Sequence, residues 1–244
     1  MWSSIEQILK PANLSEATEL LQEPGSVVFA GGSYLVGNRA PETQTLVDIN
    51  HLLNRSISSR DGLIHVDAGC TLQSIVEFNG NTLREVTRSA CPSKNIRNQR
   101  TLGGEIAWAR SDSDILVFLL TAGARIMFSG NPEPIDLVEW DGTGIILEVI
   151  IPDGKVKMER VAVLDSAPAY LIIGLHESAK SITICVGGKM AEPIPIKFAP
   201  EEWDSEIQKL SKAVEMGCED DHLGSRTYKS NLVITLLMAM RGDQ

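Results

Sequence analysis

The sequence predicts an α+β fold that begins with a small unit of alternating helices and strands. Three observations support this class. Helix and strand signals alternate over the first fifty residues. The last ninety residues carry strand candidates followed by helix candidates, an order typical of α+β domains. Finally, 43% of the 244 residues are hydrophobic, which is enough to bury a substantial core in a chain of this length.

The amino-terminal unit is predicted from a helix start, a stop signal and two strands. Asn13, with a glutamate three residues later, matches a capping-box pattern, and Pro24-Gly25 predicts the end of that helix. The strand candidates are residues 26–30, which lead into Gly31-Gly32, and residues 45–49.

The middle of the chain contains two predicted helix starts. Thr71 is a candidate cap for a short helix ending at Gly80, and Asp114 is a candidate cap for a buried helix over Ile115–Ala122. The strand candidates here are Leu63–Asp67, Arg125–Ser129 and Gly144–Ile151.

The last ninety residues predict a sheet followed by two helices. Hydrophobic residues at helical spacing start at Trp203, with Gly217 just past the end, and Leu232–Met240 predicts a final helix. The strand candidates are Val156–Val163, Ala169–Leu175 and Ser181–Val186.

Composition excludes several classes of protein. The net charge of −10 argues against nucleic acid as the main partner. The longest apolar stretches, Ile115–Ala122 and Leu232–Met240, fall short of the roughly 18 residues that a membrane span needs. The sequence opens without the basic and apolar segments of a secretory signal, so we expect a cytoplasmic protein without membrane association.

The four cysteines are too scattered to hold an iron–sulfur cluster on this chain, because a cluster needs grouped thiolates. We expect them to be buried free thiols. They are Cys70, Cys91, Cys185 and Cys218.

Two glycine pairs are the main candidates for a binding site. Each is attached to a β-rich segment, and glycine allows backbone N–H groups to turn toward an anion. Each alone is typical of an ordinary turn, whereas together they fit a diphosphate lying between two small domains. The dinucleotide fingerprint GxGxxG and the P-loop pattern are both absent from the sequence. The candidate residues are Ala30, Gly31, Gly32, Ser33 and Tyr34 in the first loop, and Thr101, Gly103 and Gly104 in the second.

Carboxylates near the second loop are further candidates. Asp114 is placed to accept a hydrogen bond from a ribityl or ribose hydroxyl, and the alternative role is helix capping. For Asp112 we favour a solvated surface position. We place His65 and Asp67 on an exposed strand face and residues 219–222 in a solvated loop, without the clustered spacing of metal sites. We therefore predict no metal site, and we assign no catalytic residue.

The segment from Ile96 to Asp114 resembles a known family signature. Ile96-Arg-Asn-x-x-Thr-Leu-Gly-Gly-x-Ile-Ala107, followed by Ser113-Asp114, is similar to the flavin-binding signature of the medium subunits of molybdenum hydroxylases. These are the xanthine dehydrogenase and carbon monoxide dehydrogenase type enzymes. Further similar segments are Phe29–Leu35, Leu46–Ile49, Val66–Thr71, Gly187-Gly188 and Gly224–Lys229.

The resemblance implies a two-domain vanillyl-alcohol-oxidase-like FAD-binding fold followed by a small α+β carboxy-terminal domain. We place the two FAD-binding subdomains at residues 1–52 and 53–153 and the last domain at 154–244. FAD would be held by the two glycine loops and Asp114. The implied function is electron transfer from a [2Fe-2S] partner subunit through FAD to an external acceptor such as NAD, beside a molybdopterin large subunit. Iron–sulfur and molybdenum centres would lie on those other chains.

Several positions depart from the family pattern. Glu105 stands where Asn is usual and adds negative charge beside the expected phosphates. Trp108 replaces a small residue and would either obstruct the ribityl path or stack on a ring. The segment between Phe128 and Glu148 is short. These departures motivate the alternative of a structural or interaction subunit that has lost FAD binding. A standalone flavin oxidoreductase is less favoured, because no acid–base pair stands beside the loops.

Two further departures lie in the carboxy-terminal part of the chain, of which the change at Lys229 is the milder. Ser166 replaces an aromatic residue, and Lys229 replaces arginine with its charge retained.

Overall fold

The computed structural model describes residues 2–78, 82–164 and 167–242 and divides into two units. The first unit comprises the residues up to Trp108 together with Arg125–Ile151, and the second comprises Ala109–Ala124 with the residues from Pro152 onward. The predicted division into three domains at 1–52, 53–153 and 154–244 stays a prediction.

The first unit contains eight strands and six helices within its described residues. The strands are β1 (Gln7–Leu9), β2 (Ser26–Phe29), β3 (Thr45–Asp48), β4 (Ile57–Arg60), β5 (Leu63–Asp67), β6 (Arg125–Phe128), β7 (Asn131–Asp136) and β8 (Ile146–Pro152). The helices are α1 (Leu14–Leu20), α2 (Leu35–Asn38), α3 (Leu72–Glu77), α4 (Thr82–Ala90), α5 (Lys94–Arg97) and α6 (Leu102–Ala107), with a 3₁₀ turn at Leu137–Glu139.

Two sheets organise this unit. A small parallel sheet has the order β1-β3-β2, and α1 packs its buried Ala17 against the apolar side chains of β3. A five-stranded sheet has the order β4-β5-β8-β6-β7, with antiparallel pairing of β4 with β5 and of β6 with both β7 and β8. The first glycine pair follows β2, at the carboxyl end of a parallel strand.

Local capping signals predicted two of the helix starts correctly. The Asn13 side chain accepts a hydrogen bond from the Glu16 N–H at 3.0 Å, and Thr71 Oγ1 accepts from the Ser74 N–H at 3.1 Å. The predicted helix end at Gly80 lies outside the described residues.

The second unit is a four-stranded antiparallel sheet between helices. Its elements are α7 (Asp114–Ala122), β9 (Lys157–Val161), β10 (Leu171–Glu177), β11 (Ile182–Gly188), β12 (Ile194–Phe198), α8 (Trp203–Gly217) and α9 (Arg226–Gly242). The sheet order is β12-β11-β10-β9. Alternate side chains of β10 face opposite sides: Ile173 packs with the core under α8 and α9, and Ile172 packs with Val117 of α7.

Two predictions for this unit were wrong in detail. Ser113 caps α7, since its hydroxyl accepts from the Leu116 N–H at 3.2 Å, whereas Asp114 is the first helical residue. The last helix begins at Arg226, six residues before the predicted start at Leu232. All four cysteines are buried free thiols, as predicted.

Candidate functional site

A cavity of about 410 Å³ lies in the first unit between the two glycine loops. All eight predicted loop residues line it, which brings together segments almost seventy residues apart in the sequence. Its walls also include apolar side chains of the two sheets and the residues around the second loop. These further lining residues are Val28, Leu35, Ile49, Leu53, Ala68, Arg100, Glu105, Ala107, Trp108, Gly144, Ile145 and Ile146.

The first loop lies in close contact with the backbone that precedes the second loop. The Asn50 side-chain amide donates to the Ala30 carbonyl at 2.9 Å, which fixes the end of β2. A Cβ added to Gly31 would lie 2.0 Å from the Gln99 carbonyl oxygen, so only glycine permits this approach to the second loop. Gly32 has a φ of +67°, a left-handed conformation that also favours glycine.

The backbone N–H groups of the first loop lack protein acceptors. Among the described residues, no hydrogen bond is donated by the N–H groups of Gly31, Gly32, Ser33 or Tyr34, although all four residues line the cavity. Partly buried N–H groups are normally paired, and consecutive free ones form a concave anion site. This observation fits the loop to a phosphate group.

The second loop has a different role from the one that its glycines suggested. Thr101 caps α6 by accepting from the Gly104 N–H at 3.2 Å, and the Gly103 N–H donates to the Ala68 carbonyl at 3.0 Å. The expectation that both glycines expose free N–H groups is therefore wrong. A Cβ on Gly103 would lie 2.8 Å from the Ala68 Cβ, so this glycine serves close packing instead.

Glu105 and Trp108 are both engaged with side chains at the cavity wall. The Glu105 carboxylate is buried and lies 3.2 Å from Arg100 Nη2. The Trp108 ring stacks on Tyr34 with 3.8 Å between centroids and 28° between planes. The Arg100 guanidinium carbon lies 5.5 Å from the centre of the Trp108 ring, within the range of a cation–π contact.

Arg100 was not singled out from the sequence. Glu105 could have pointed to it, because a carboxylate in a glycine-rich, apolar helical turn can be buried only beside a cation. Trp108 stacks on the ring of Tyr34, and the obstruction of a ribityl path by Trp108 stays a prediction.

Asp114 lies in the second unit, where it forms an ion pair with Arg160 at 3.2 Å from Oδ1 to Nε. Burial raises the pKa of its carboxyl above the ordinary value, and the neighbouring guanidinium opposes that shift. Its predicted contact with a flavin stays a prediction.

The raised pKa of Asp114 has a consequence for stability. Between the ordinary pKa and the raised one, the folded chain holds a proton that the unfolded chain has released, so this group's contribution falls as pH rises. As the pH rises from the ordinary pKa of an aspartate to the raised pKa of this carboxyl, we therefore expect Asp114→Asn to gain stability relative to the wild type. Urea unfolding of both proteins across that range checks this, and a relative loss with rising pH would contradict it.

The described residues contain neither a cluster of metal ligands nor a helix that could span a membrane. Over residues 2–78, 82–164 and 167–242, no three His, Cys, Asp or Glu side chains are grouped so that they could hold a metal ion. Within the same described ranges, no helix is both long and apolar enough to cross a membrane. His65 is half-buried and contacts Glu148 at 2.8 Å, rather than lying on an exposed strand face.

Comparison with known proteins assigns the chain to a family. Residues 3–136 match the model described as "FAD binding domain in molybdopterin dehydrogenase", which covers more than half of the chain. The chain belongs to this FAD-binding family. The matched range contains both glycine loops and every residue that lines the cavity except those of the 144–146 segment.

A curated relative of this family member is "Uncharacterized protein YgfM" of Escherichia coli (strain K12). The two are 30% identical over 159 residues, which is 61% of this chain and 60% of the relative. The match therefore spans about three fifths of that relative's length.

Solved structures show the fold of the family over nearly the whole chain. Carbon monoxide dehydrogenase from Oligotropha carboxidovorans matches with a TM-score of 0.74 and 16% identity, covering 96% of this chain and 95% of that one. Quinoline 2-oxidoreductase from Pseudomonas putida 86 matches with a TM-score of 0.71 and 18% identity, covering 95% and 93%. The predicted fold class is confirmed.

Proposed function

We propose that this chain is the FAD-binding electron-transfer subunit of a molybdenum hydroxylase complex. The observation that carries the proposal is the cavity lined by both glycine loops, in a chain of the FAD-binding family. We further propose a [2Fe-2S] subunit as electron donor, a molybdopterin subunit as the site of hydroxylation, and NAD or another external acceptor. FAD, when bound, would supply the redox chemistry that links one-electron and two-electron carriers.

The chain's own residues would bind and orient the cofactor. The free N–H groups of residues 31–34 would hold phosphate oxygens, and Thr101 has a hydroxyl proton left to donate after its oxygen has accepted the capping bond. Gly31 and Gly103 would bring the two loops close enough to share one diphosphate. The apolar walls formed by Val28, Ile49 and Ile146 would exclude water from the rest of the cofactor.

The first test is thermal unfolding of the purified chain with added FAD. At about 100 times its dissociation constant, a ligand adds about 2.7 kcal/mol of stability. For a chain of this size that corresponds to about 5–10 °C in melting temperature. Adenosine monophosphate serves as the control, since it lacks both the flavin and the diphosphate. A melting temperature that FAD leaves unchanged would count against the proposal.

The alternative is a structural or interaction subunit without FAD. It is favoured by the Glu105–Arg100 pair, which neutralises the charged wall of the cavity, and by the Tyr34–Trp108 stack. The cofactor content of the complex purified from its native source distinguishes the FAD-binding subunit from the structural one. We expect iron, molybdenum and FAD together in one assembly, whereas iron and molybdenum without flavin would support the alternative.

A further inference from the structure

The charge of the cavity wall is balanced internally. Among the described lining residues, Arg100 and Glu105 are the two side chains with a formal charge at neutral pH. They lie 3.2 Å apart, with side chains that are 15% and 4% exposed. The wall therefore presents one cation whose charge is already matched by one carboxylate.

Arg100 lies beside both loops. Its backbone directly precedes Thr101, and a Cβ on Gly31 would lie 3.5 Å from the Arg100 Cα. Its guanidinium group contacts the face of Trp108, and Trp108 stacks on Tyr34 of the first loop. Glu105 and Trp108 thus hold the guanidinium, and Trp108 in turn stacks on the loop whose N–H groups lack acceptors.

A carboxylate and a phosphate compete for the same guanidinium. Each offers a pair of oxygen acceptors that matches the fork of Arg, and both phosphates of FAD carry negative charge. A phosphate that binds next to Glu105 is repelled by its carboxylate. Because this part of the cavity wall is poorly solvated, the repulsion is stronger than in water.

We propose that Glu105 is a built-in competitor of the cofactor diphosphate for Arg100, and that Arg100 makes the site prefer FAD over the unphosphorylated flavin. This inference rests on the proposed function. It adds that one ion pair controls both the affinity for FAD and the preference for FAD over the unphosphorylated flavin. Removal of the Glu105 charge frees the guanidinium for the diphosphate. Removal of the Arg100 charge leaves the diphosphate facing a carboxylate alone.

The test compares FAD with riboflavin, which shares the ring and lacks both phosphates. We expect Glu105→Gln to bind FAD at least tenfold more tightly and Arg100→Met at least tenfold more weakly than the wild type. Riboflavin affinity should stay within about twofold in both variants, because riboflavin carries no group for Arg100. Quenching of flavin fluorescence measures every affinity.

The chain offers a matched control in Glu85, an exposed carboxylate that lies 3.8 Å from Arg84 and does not line the cavity. Glu85→Gln should leave both flavin affinities unchanged. Circular dichroism checks the fold of each variant, and Glu105→Ala provides a second neutral variant.

The outcomes separate this inference from the proposed function. If the wild type binds FAD and both neutral Glu105 variants bind it equally well, the ion-pair inference is wrong and FAD binding stands. An equal gain for riboflavin would likewise overturn it, since that gain would be steric. FAD binding by Glu105→Gln alone would support it. FAD binding by none of the proteins would overturn the proposed function and the inference together.

Discussion

Gly31→Ala is expected to lose most FAD affinity and to destabilise the first unit. The new Cβ would lie 2.0 Å from the Gln99 carbonyl oxygen and 3.0 Å from its carbon, and both are backbone atoms that cannot rotate away. Overpacking of this kind costs about 1–3 kcal/mol. Because the loops must separate to accept the methyl group, we expect FAD to bind about 10- to 100-fold more weakly, the same range of energy expressed as affinity.

Gly37→Ala is the matched control for that variant. Gly37 lies in α2, six residues further along, and a Cβ there would have no heavy atom within 4 Å. We expect unchanged FAD affinity and equal or slightly greater stability, since alanine favours a helix over glycine. Flavin fluorescence titration and urea unfolding check both variants. Wild-type affinity in Gly31→Ala would show that close approach of the loops is unnecessary for binding.

Lys229→Met is expected to cause the largest loss of stability in the second unit. Lys229 is completely buried on α9, and its ammonium group donates to the Glu219 carbonyl at 2.8 Å and lies 3.0 Å from the Asp221 carboxylate. Methionine fills the space but leaves the Glu219 carbonyl without its donor and Asp221 with Lys189 as its remaining cation. Removal of one partner from a buried pair costs about 3–5 kcal/mol.

Lys212→Met tests whether the loss comes from burial or merely from removal of a charge. Lys212 is exposed on α8, so its replacement should change the free energy of unfolding by less than about 0.5 kcal/mol. Urea unfolding measures both variants. Equal effects of the two substitutions would mean that the buried lysine contributes nothing specific. Lys229→Met should leave FAD affinity unchanged, because Lys229 does not line the cavity.

Features that depend on one turn of the chain were predictable from the sequence. The Asn13 and Thr71 caps follow from side chains that bond their own helix, and the first glycine loop follows from a strand that runs into Gly31-Gly32. The hydrophobic runs of the central strands also predicted β3, β8, β10 and β11, because strands buried between neighbours are rich in apolar residues.

The strands that sequence reasoning missed are all edge strands. They are β1, β4, β7 and β12, each at the end of its sheet order. An edge strand is only partly covered, so its hydrophobic pattern is weak, and it tolerates proline because one side needs no ladder hydrogen bonds. Pro132 and Pro134 lie in β7, and Pro195 lies in β12.

Contacts between residues far apart in the sequence could not be predicted from it either. Asp114 and Arg160 are 46 positions apart, and only the fold brings them together. The start of α9 was missed because its first residues are polar, and the buried Lys229 breaks the apolar pattern that marks the rest of the helix. The Arg100–Glu105 pair is local, yet it depends on the cavity wall that surrounds it.

The central claim is that this cavity holds one FAD per chain. Its most direct measurement is the amount of flavin retained after incubation of the wild-type chain with excess FAD and removal of the unbound cofactor. Release of the flavin by acid then allows the bound FAD to be quantified against protein. The cavity and its loops predict close to one FAD per chain in the wild type and far less in Gly31→Ala. A folded wild-type chain that retains no FAD, or as much FAD in Gly31→Ala as in the wild type, would contradict the claim.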